Sequence, residues 1–294
     1  MRGVLAASAA VSILSVIAIT FFILFEGMPL FFHSVTGNSP PTLSEFLFGT
    51  EWFPTDTDPK YGILPFIAGS LLVTAGAILI AVPIGIAVGV FIAEMAKGRV
   101  QSVLRSVVEL LAGIPSVIYG FCGIMMIGFF LKHSDDPLIN YNAFSAMLIL
   151  AVMTLPTIST ITEVSIRAVP KSFVNGAVAL GATQWQTIRD IMLPSASSGI
   201  VTGVILGVGR AIGETMAVLM VAGNQPTMPD RGIFSRVRTL TMAIVNDMGY
   251  AGGDHYVALF TIAVVLFVFI LLLNISTQII LGRSKKKAAA YGAG

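Results

Sequence analysis

Apolar positions along this chain gather into six long blocks, approximately residues 4–25, 66–93, 107–131, 143–166, 199–222 and 256–281. Each is about 20 residues or longer, enough to cross roughly 30 Å of hydrocarbon as a helix. The pattern predicts six membrane-spanning helices. The first block follows Arg2 as the core of a secretory leader would, but it exceeds the usual length of about 7–15 residues, and FEGMPLFF stands where small residues should mark cleavage. A retained anchor is expected. The polar connections are unevenly charged. The N-terminus, 94–106, 167–198 and the C-terminus hold Arg2, Lys97, Arg99, Arg105, Arg167, Lys171, Arg189, Arg283, Lys285, Lys286 and Lys287. The other set holds Lys60, Lys132, Arg231, Arg236 and Arg238. By the positive-inside tendency both termini are expected in the cytoplasm.

Composition agrees: 55% of residues are hydrophobic and 11% charged, against roughly 45–50% and 25% in soluble domains, and the mean hydropathy is +0.90. The expected organisation is a first transmembrane helix at 1–30, an extracytoplasmic loop at 31–65, a helical core at 66–282 with a cytoplasmic connection at 168–197, and a basic tail at 283–294. The net charge of +2 adds little. The RSKKK tail marks topology and can meet anionic lipid; no nucleic-acid partner is expected. Cys122, the one cysteine, reads as a small hydrophobe inside a span. His33, His133 and His255 stand apart with no second ligand at metal spacing and read as solvated loop residues. No G-x-x-x-x-G-K-[ST], H-E-x-x-H or Ser–His–Asp pattern occurs, so the chain is not expected to be an enzyme or to hold a cofactor.

Three connections and three spans carry features beyond hydropathy. The 26–65 connection exposes Phe46, Leu47, Phe48, Trp52 and Phe53 in a Pro- and Gly-broken segment, expected to fold over the outer mouth or to meet a partner. The 223–255 connection reads as a docking surface or a solvated loop. In 167–198, Pro170 should end one helix, Ser172 cap a short second one, Gly181 interrupt it, Thr183-x-x-Gln186 open a third as a capping box, and Pro194 stop it.

Within the spans, Arg210 and Glu214 interrupt GVGRAIGETMAVLMVAGN at 207–224. A charge at the centre of a membrane helix costs roughly 2.5–3.5 kcal/mol on insertion scales. On a continuous helix Arg210 would lie roughly 17 Å from the inner end, near the midplane, with Glu214 one turn further on the same face. The pair either serves transport or fixes helix register. Glu163 and Arg167 repeat the spacing near the inner end of the fourth block, where Thr157 and Thr160 add hydroxyls suited to lining or to packing. Gly113-Ile114-Pro115-Ser116 should break the third block, aiming a helix N-terminus and the Ser116 hydroxyl at an anion or merely kinking it.

Ala177-x-x-x-Gly181 followed, nine residues on, by Ile191-Met192-Leu193-Pro194 resembles the EAA loop of ABC importer permeases, with Asn175 and Gly176 where Glu and Ala are usual. YGILPFIAGSLLVTAGAILIAVPIGI (61–86), ELLAGIPSVIYGF (109–121), IRAVP (166–170) and GRAIGETMAVLMVAGN (209–224) resemble permeases of the phosphate-specific transport system, and FLFGTEWFP (46–54) is similar to a segment of the PstC-type chain. The resemblance implies a MetI-like type I importer permease in a bacterial or archaeal cell membrane. It implies pairing with a PstA-type chain, two PstB-type ATPases that bind ATP and Mg, and a PstS-type phosphate-binding protein. It implies a pathway for inorganic phosphate at Arg210, Glu214, Thr157, Thr160 and Ser116. ATPase coupling would fall on Ala177, Gly181, Ala182, Leu193 and Pro194. A permease for sulfate or molybdate, an ion-coupled carrier and a non-transporting membrane partner are the rival readings.

Overall fold

The structure, a computed structural model, describes residues 2–32, 40–130 and 141–291. His33, Lys132 and His133 lie outside them. In chain order the helices are α1 (Arg2–Gly27), α2 (Leu43–Phe48), α3 (Leu64–Val90), α4 (Gly98–Gly113), α5 (Ser116–Phe130), α6 (Ala143–Arg167), α7 (Lys171–Ala179), α8 (Gln184–Gln186), α9 (Leu193–Gly213), α10 (Met216–Val221), α11 (Leu240–Asp247) and α12 (Asp254–Tyr291). A two-stranded hairpin, β1 (Trp52–Phe53) and β2 (Lys60–Tyr61), follows α2. Among the described residues five helices are long and apolar enough to cross a membrane, six if α4 and α5 count as one broken span. The protein is an all-α membrane protein.

Two compact units interleave along the chain, one of residues 1–70 with 224–269, the other of 71–223 with 270–294. In the first unit the segment expected as an extracytoplasmic loop has structure of its own. Thr42 accepts from the Glu45 amide while the Glu45 carboxylate accepts from the Thr42 amide at 2.8 Å, a reciprocal cap that starts α2. Phe46 and Trp52 then enter a core with Leu30, Tyr61, Ile63, Phe66, Leu240 and Leu259, whereas Phe48 and Phe53 stay exposed. Burial of the two anchors leaves only part of the expected apolar surface open.

The 223–255 connection is not a plain loop either. Helix α11 carries Asp247, 2% exposed, whose carboxylate accepts from Asn246 at 2.7 Å, Tyr250 at 2.6 Å, Trp52 at 3.2 Å and Arg238 at 3.3 Å. Burial pushes its pKa up, but the bonds from Tyr250 and Asn246, the Arg238 charge and the Trp52 bond prevail and hold it below the ordinary value. His255, expected in solvent, is 4% exposed with Nε2 3.5 Å from Asp247. A residue pattern along the chain does not reveal this, because the partners come from three separate segments.

In the second unit α6 packs along α9. Gly199, Gly203 and Gly207 form a small-residue stripe facing Ser165, Ile161 and Ile158, the spacing that lets membrane helices approach without side chains between them. A Cβ on Gly207 would stand 2.9 Å from Ile158 Cγ1, and one on Gly85 of α3 2.8 Å from Ile158 Cγ2. Ile158 is thus wedged between two glycines. A second cluster, Val90, Ile166, Val169, Ile188, Met192, Ala196 and Ile200, joins the ends of α3 and α6 to the start of α9.

The third span is broken where expected, and the fifth departs from the expected continuous rod. The break at Gly113–Pro115 is present, but α4 begins at Gly98 and meets α5 at 100°. Pro115 lacks an N–H and restricts Ile114 to extended backbone, with ψ 128°. Pro194 does not stop a helix. A π-helical turn over Thr187–Met192 runs directly into α9, so the helix is continuous from Gln184 to Gly213 and carries Pro194 just after the π-helical turn. The fifth span instead ends at Gly213, and the extended Glu214 (ψ 130°) separates it from α10.

Candidate functional site

The glycine stripe sets up the Arg210 environment. One turn past Gly207, Arg210 Nη1 donates to Thr157 Oγ1 on α6 at 3.5 Å, the long limit of a hydrogen bond. Arg210 stands in the last turn of α9 rather than midway along a helix. There the orphan carbonyls and the negative end of the helix dipole favour a cation, which lowers the cost of burying it. Among the described residues, Thr157 is the one hydrogen-bond partner of this guanidinium, which leaves most of its five N–H donors uncommitted. Tyr119 of α5 lies within electrostatic reach of Arg210 and donates to the Leu111 carbonyl at 2.7 Å, stapling the α4–α5 bend.

Glu214 does not follow Arg210 on a helical face, because α9 has ended. Its Oε1 accepts from the Ala217 amide at 3.3 Å and so engages the start of α10. Ser116 sits half-buried in the first turn of α5, and among the described residues no hydrogen bond joins it to Arg210 or Thr157. Thr160 is exposed on α6 and opens onto a different cavity.

That cavity, about 310 Å³, is lined by Arg105, Glu109, Ser159, Thr160, Glu163 and Arg167 among others. Glu163 Oε1 accepts from Arg167 Nε at 2.9 Å and from Arg105 Nη2. The Glu163–Arg167 spacing was readable as a helical pair. Arg105, 58 residues away, was not. Arg167 Nη2 and Gln101 Nε2 also reach the Ile92 carbonyl, at 3.2 and 2.7 Å, in a π-helical turn (Phe91–Met95) that ends α3.

The segment between α6 and α9 forms a helix–turn–helix. Helix α7 follows Pro170 directly with no side-chain cap, so Ser172 lies inside the helix rather than before it. At its end Ala182 N–H donates to the Ala177 carbonyl and Gly181 N–H to that of Val178, at 3.0 and 2.9 Å. This is the paired closure of a Schellman turn, and it needs the left-handed Gly181, φ +87°. Thr183 and Gln186 then form the expected capping box. Phe173, Val178, Leu180 and Trp185 stay exposed, Leu180 at 91%. Gln184 Nε2 donates to the Glu94 carbonyl at 3.2 Å, tying this segment to the end of α3. Leu193 packs against the Ile188–Met192 cluster, and Pro194 borders a cavity of about 610 Å³ with Ser165, Pro170 and Gly199.

The model of the binding-protein-dependent transport system inner membrane component family matches residues 85–286. The chain belongs to this family. A protein of Bacillus subtilis named as a probable ABC transporter permease, YqgH, is 41% identical over 279 residues, which covers 93% of this chain and 88% of that one. The phosphate transport system permease protein PstC 1 of Mycobacterium tuberculosis is 35% identical, with 85% of each chain covered. Among solved structures, an inward-facing form of the MetNI methionine ABC transporter aligns with TM-score 0.61 at 18% identity, covering 76% of this chain and 95% of that one. That likeness concerns the fold.

The chain is thus a multi-pass inner-membrane permease component of a bacterial ABC importer and not itself the ATPase. Nucleotide is bound by a partner ATPase, and the family implies a second permease and a binding protein. Of the residues expected to serve the permease, Arg210 and Thr157 come together, Glu214 lies just past the helix end, and Thr160 joins the Arg105 cavity. Among the described residues no group of three or more His, Cys, Asp or Glu is placed to hold a metal ion.

Proposed function

We propose that this permease carries inorganic phosphate, with Arg210 as the residue that receives the anion. Phosphate bears between one and two negative charges at neutral pH, so its path must supply fixed positive charge and donors. The observation that carries the reading is the Arg210–Thr157 contact, a guanidinium with uncommitted donors beside a hydroxyl on the facing helix. The 31–35% identity to proteins named as PstC chains supports phosphate over other oxyanions. On this reading the second permease is of the PstA type, the two ATPases of the PstB type and the external binding protein of the PstS type. ATP binding closes the ATPases, and α7, α8 and the π-helical turn before α9 transmit the motion.

On this reading Glu214, which accepts from the Ala217 amide, sets the start of α10 just past the helix that carries Arg210, while Ser116 borders the bend that Tyr119 staples. The exposed Phe173, Leu180 and Trp185 present apolar surface to the ATPase around the Gly181 turn. The test is reconstitution with these partners and measurement of ATP hydrolysis stimulated by loaded binding protein. Stimulation by phosphate with weak stimulation by sulfate supports the reading; equal or greater stimulation by sulfate replaces phosphate with another oxyanion.

A further inference from the structure

We propose that the cavity bordered by Arg105, Thr160, Glu163 and Arg167 is a second anion subsite, which phosphate occupies after leaving Arg210, with Glu163 as the internal anion it displaces. The inference rests on the phosphate reading above but assigns Arg105, Glu163 and Arg167, to which that reading gives no role, and places Thr160 with them.

Three observations carry it. Thr157, Thr160, Glu163 and Arg167 are spaced 3, 3 and 4 residues apart on α6, which puts them on one face. The polar stripe extends about 15 Å from the Arg210 contact to Arg167 at 1.5 Å per residue. The cavity, about 310 Å³, has room for a tetrahedral oxyanion. Finally, two guanidinium groups share a single oxygen of one carboxylate: Arg105 and Arg167 both donate to Glu163 Oε1.

That arrangement leaves a charge of the right sign. Glu163 is buried, its side chain 8% exposed, whereas Arg105 and Arg167 are 48% and 40% exposed. The triad carries one net positive charge; Glu109, the other acid on the cavity wall, is exposed and also acts on Arg105, so the anion would be held by the guanidinium donors and the Thr160 hydroxyl more than by net charge. Arg105 reaches from α4 by one terminal nitrogen, so its other donors remain for a ligand. An arriving phosphate would accept from both guanidinium groups and from the Thr160 hydroxyl. Glu163, fixed on α6 between the two bases, would compete with it and keep the anion from being trapped. A clamp that only joined α4 to α6 would need neither the exposed Thr160 nor the open volume beside it.

The test uses the complete reconstituted transporter in vesicles, with the ATPase facing a lumen loaded with inorganic phosphate. The luminal concentration that halves initial phosphate uptake is measured for the unaltered complex, Glu163→Gln, Arg105→Gln and Thr160→Val. Removal of the competing carboxylate should lower that concentration about ten-fold, and loss of one charged donor should raise it by a similar factor. Thr160→Val should raise it less. If Glu163→Gln does not assemble, the half-exposed Arg105 and the exposed Thr160 still decide the matter. Half-inhibitory concentrations unchanged across the variants, with only assembly or maximal rate affected, overturn the subsite and leave a structural clamp. No phosphate uptake by the unaltered complex overturns the phosphate reading, and this subsite with it.

Discussion

Replacing Gly207 with Ala tests whether the α6–α9 contact places Arg210. The new methyl would lie 2.9 Å from Ile158 Cγ1 and 3.1 Å from Cδ1, well inside the ordinary carbon–carbon separation of about 3.5–4.0 Å. Ile158 is fully buried and its other branch is held by Gly85, so it cannot swing aside. Overpacking of this kind costs about 1–3 kcal/mol, while Ala in place of Gly returns about 0.8–1.0 kcal/mol of helix propensity. The net loss of stability is therefore about 0–2 kcal/mol. Transport should suffer more, because the Arg210–Thr157 contact is already 3.5 Å and a shift of a few tenths of an ångström breaks it. The assay is a double-mutant cycle with Ile158→Ala, read by thermal unfolding of the purified complex and by phosphate uptake. Ile158→Ala alone should cost about 2–5 kcal/mol. The pair should be better than additive by about 1 kcal/mol or more, since the added methyl enters the space vacated. Additivity within about 0.5 kcal/mol, or full transport in Gly207→Ala, refutes the argument.

The remaining predictions concern other parts of the chain. Gly181→Leu forces a side chain into left-handed backbone at a cost of about 1–2 kcal/mol and opens the turn between α7 and α8; ATP hydrolysis should persist without coupled uptake, measured as the ratio of the two rates. Thr183→Ala removes one half of a capping box, and about 1 kcal/mol of helix stability with it, which hydrogen exchange at residues 184–187 would register. Asp247 has a folded pKa below the ordinary value of 3.8, so its stabilisation is full above that value and is lost as the pH falls through the lower folded one. Asp247→Asn should flatten the acid limb of the stability profile below about pH 4 and, by setting an amide NH₂ against the Arg238 and Asn246 donors, cost about 1–3 kcal/mol at neutral pH.

What could be read from the sequence follows a physical division. Hydrophobic length, the Thr183–Gln186 cap and the Gly181 turn depend on neighbours within a few residues, and all three appear in the structure. The Gly113–Pro115 break was also legible, but its 100° angle was not, because local chemistry permits a bend without setting its size. Arg210 was conspicuous as a charge in an apolar block. Its position at a helix end was hidden, since nothing apolar or polar in Ile212-Gly213-Glu214-Thr215 announces a stop as strongly as proline would. Pro194 misled for the converse reason: a proline that looks like a terminator is carried inside a continuous helix where a π-helical turn precedes it. Arg105, Tyr119 and the buried His255 depend on partners from distant segments, which single-chain spacing does not encode.

The central claim is that Arg210 receives the transported anion, and phosphate uptake by the reconstituted transporter carrying Arg210→Met tests it most directly. Methionine keeps an unbranched apolar stem while removing the charge and every donor. The account predicts an assembled complex that takes up no phosphate, with partial uptake retained by Arg210→Lys, which keeps the charge but not the fork of donors. Normal phosphate uptake by the Arg210→Met complex would contradict it.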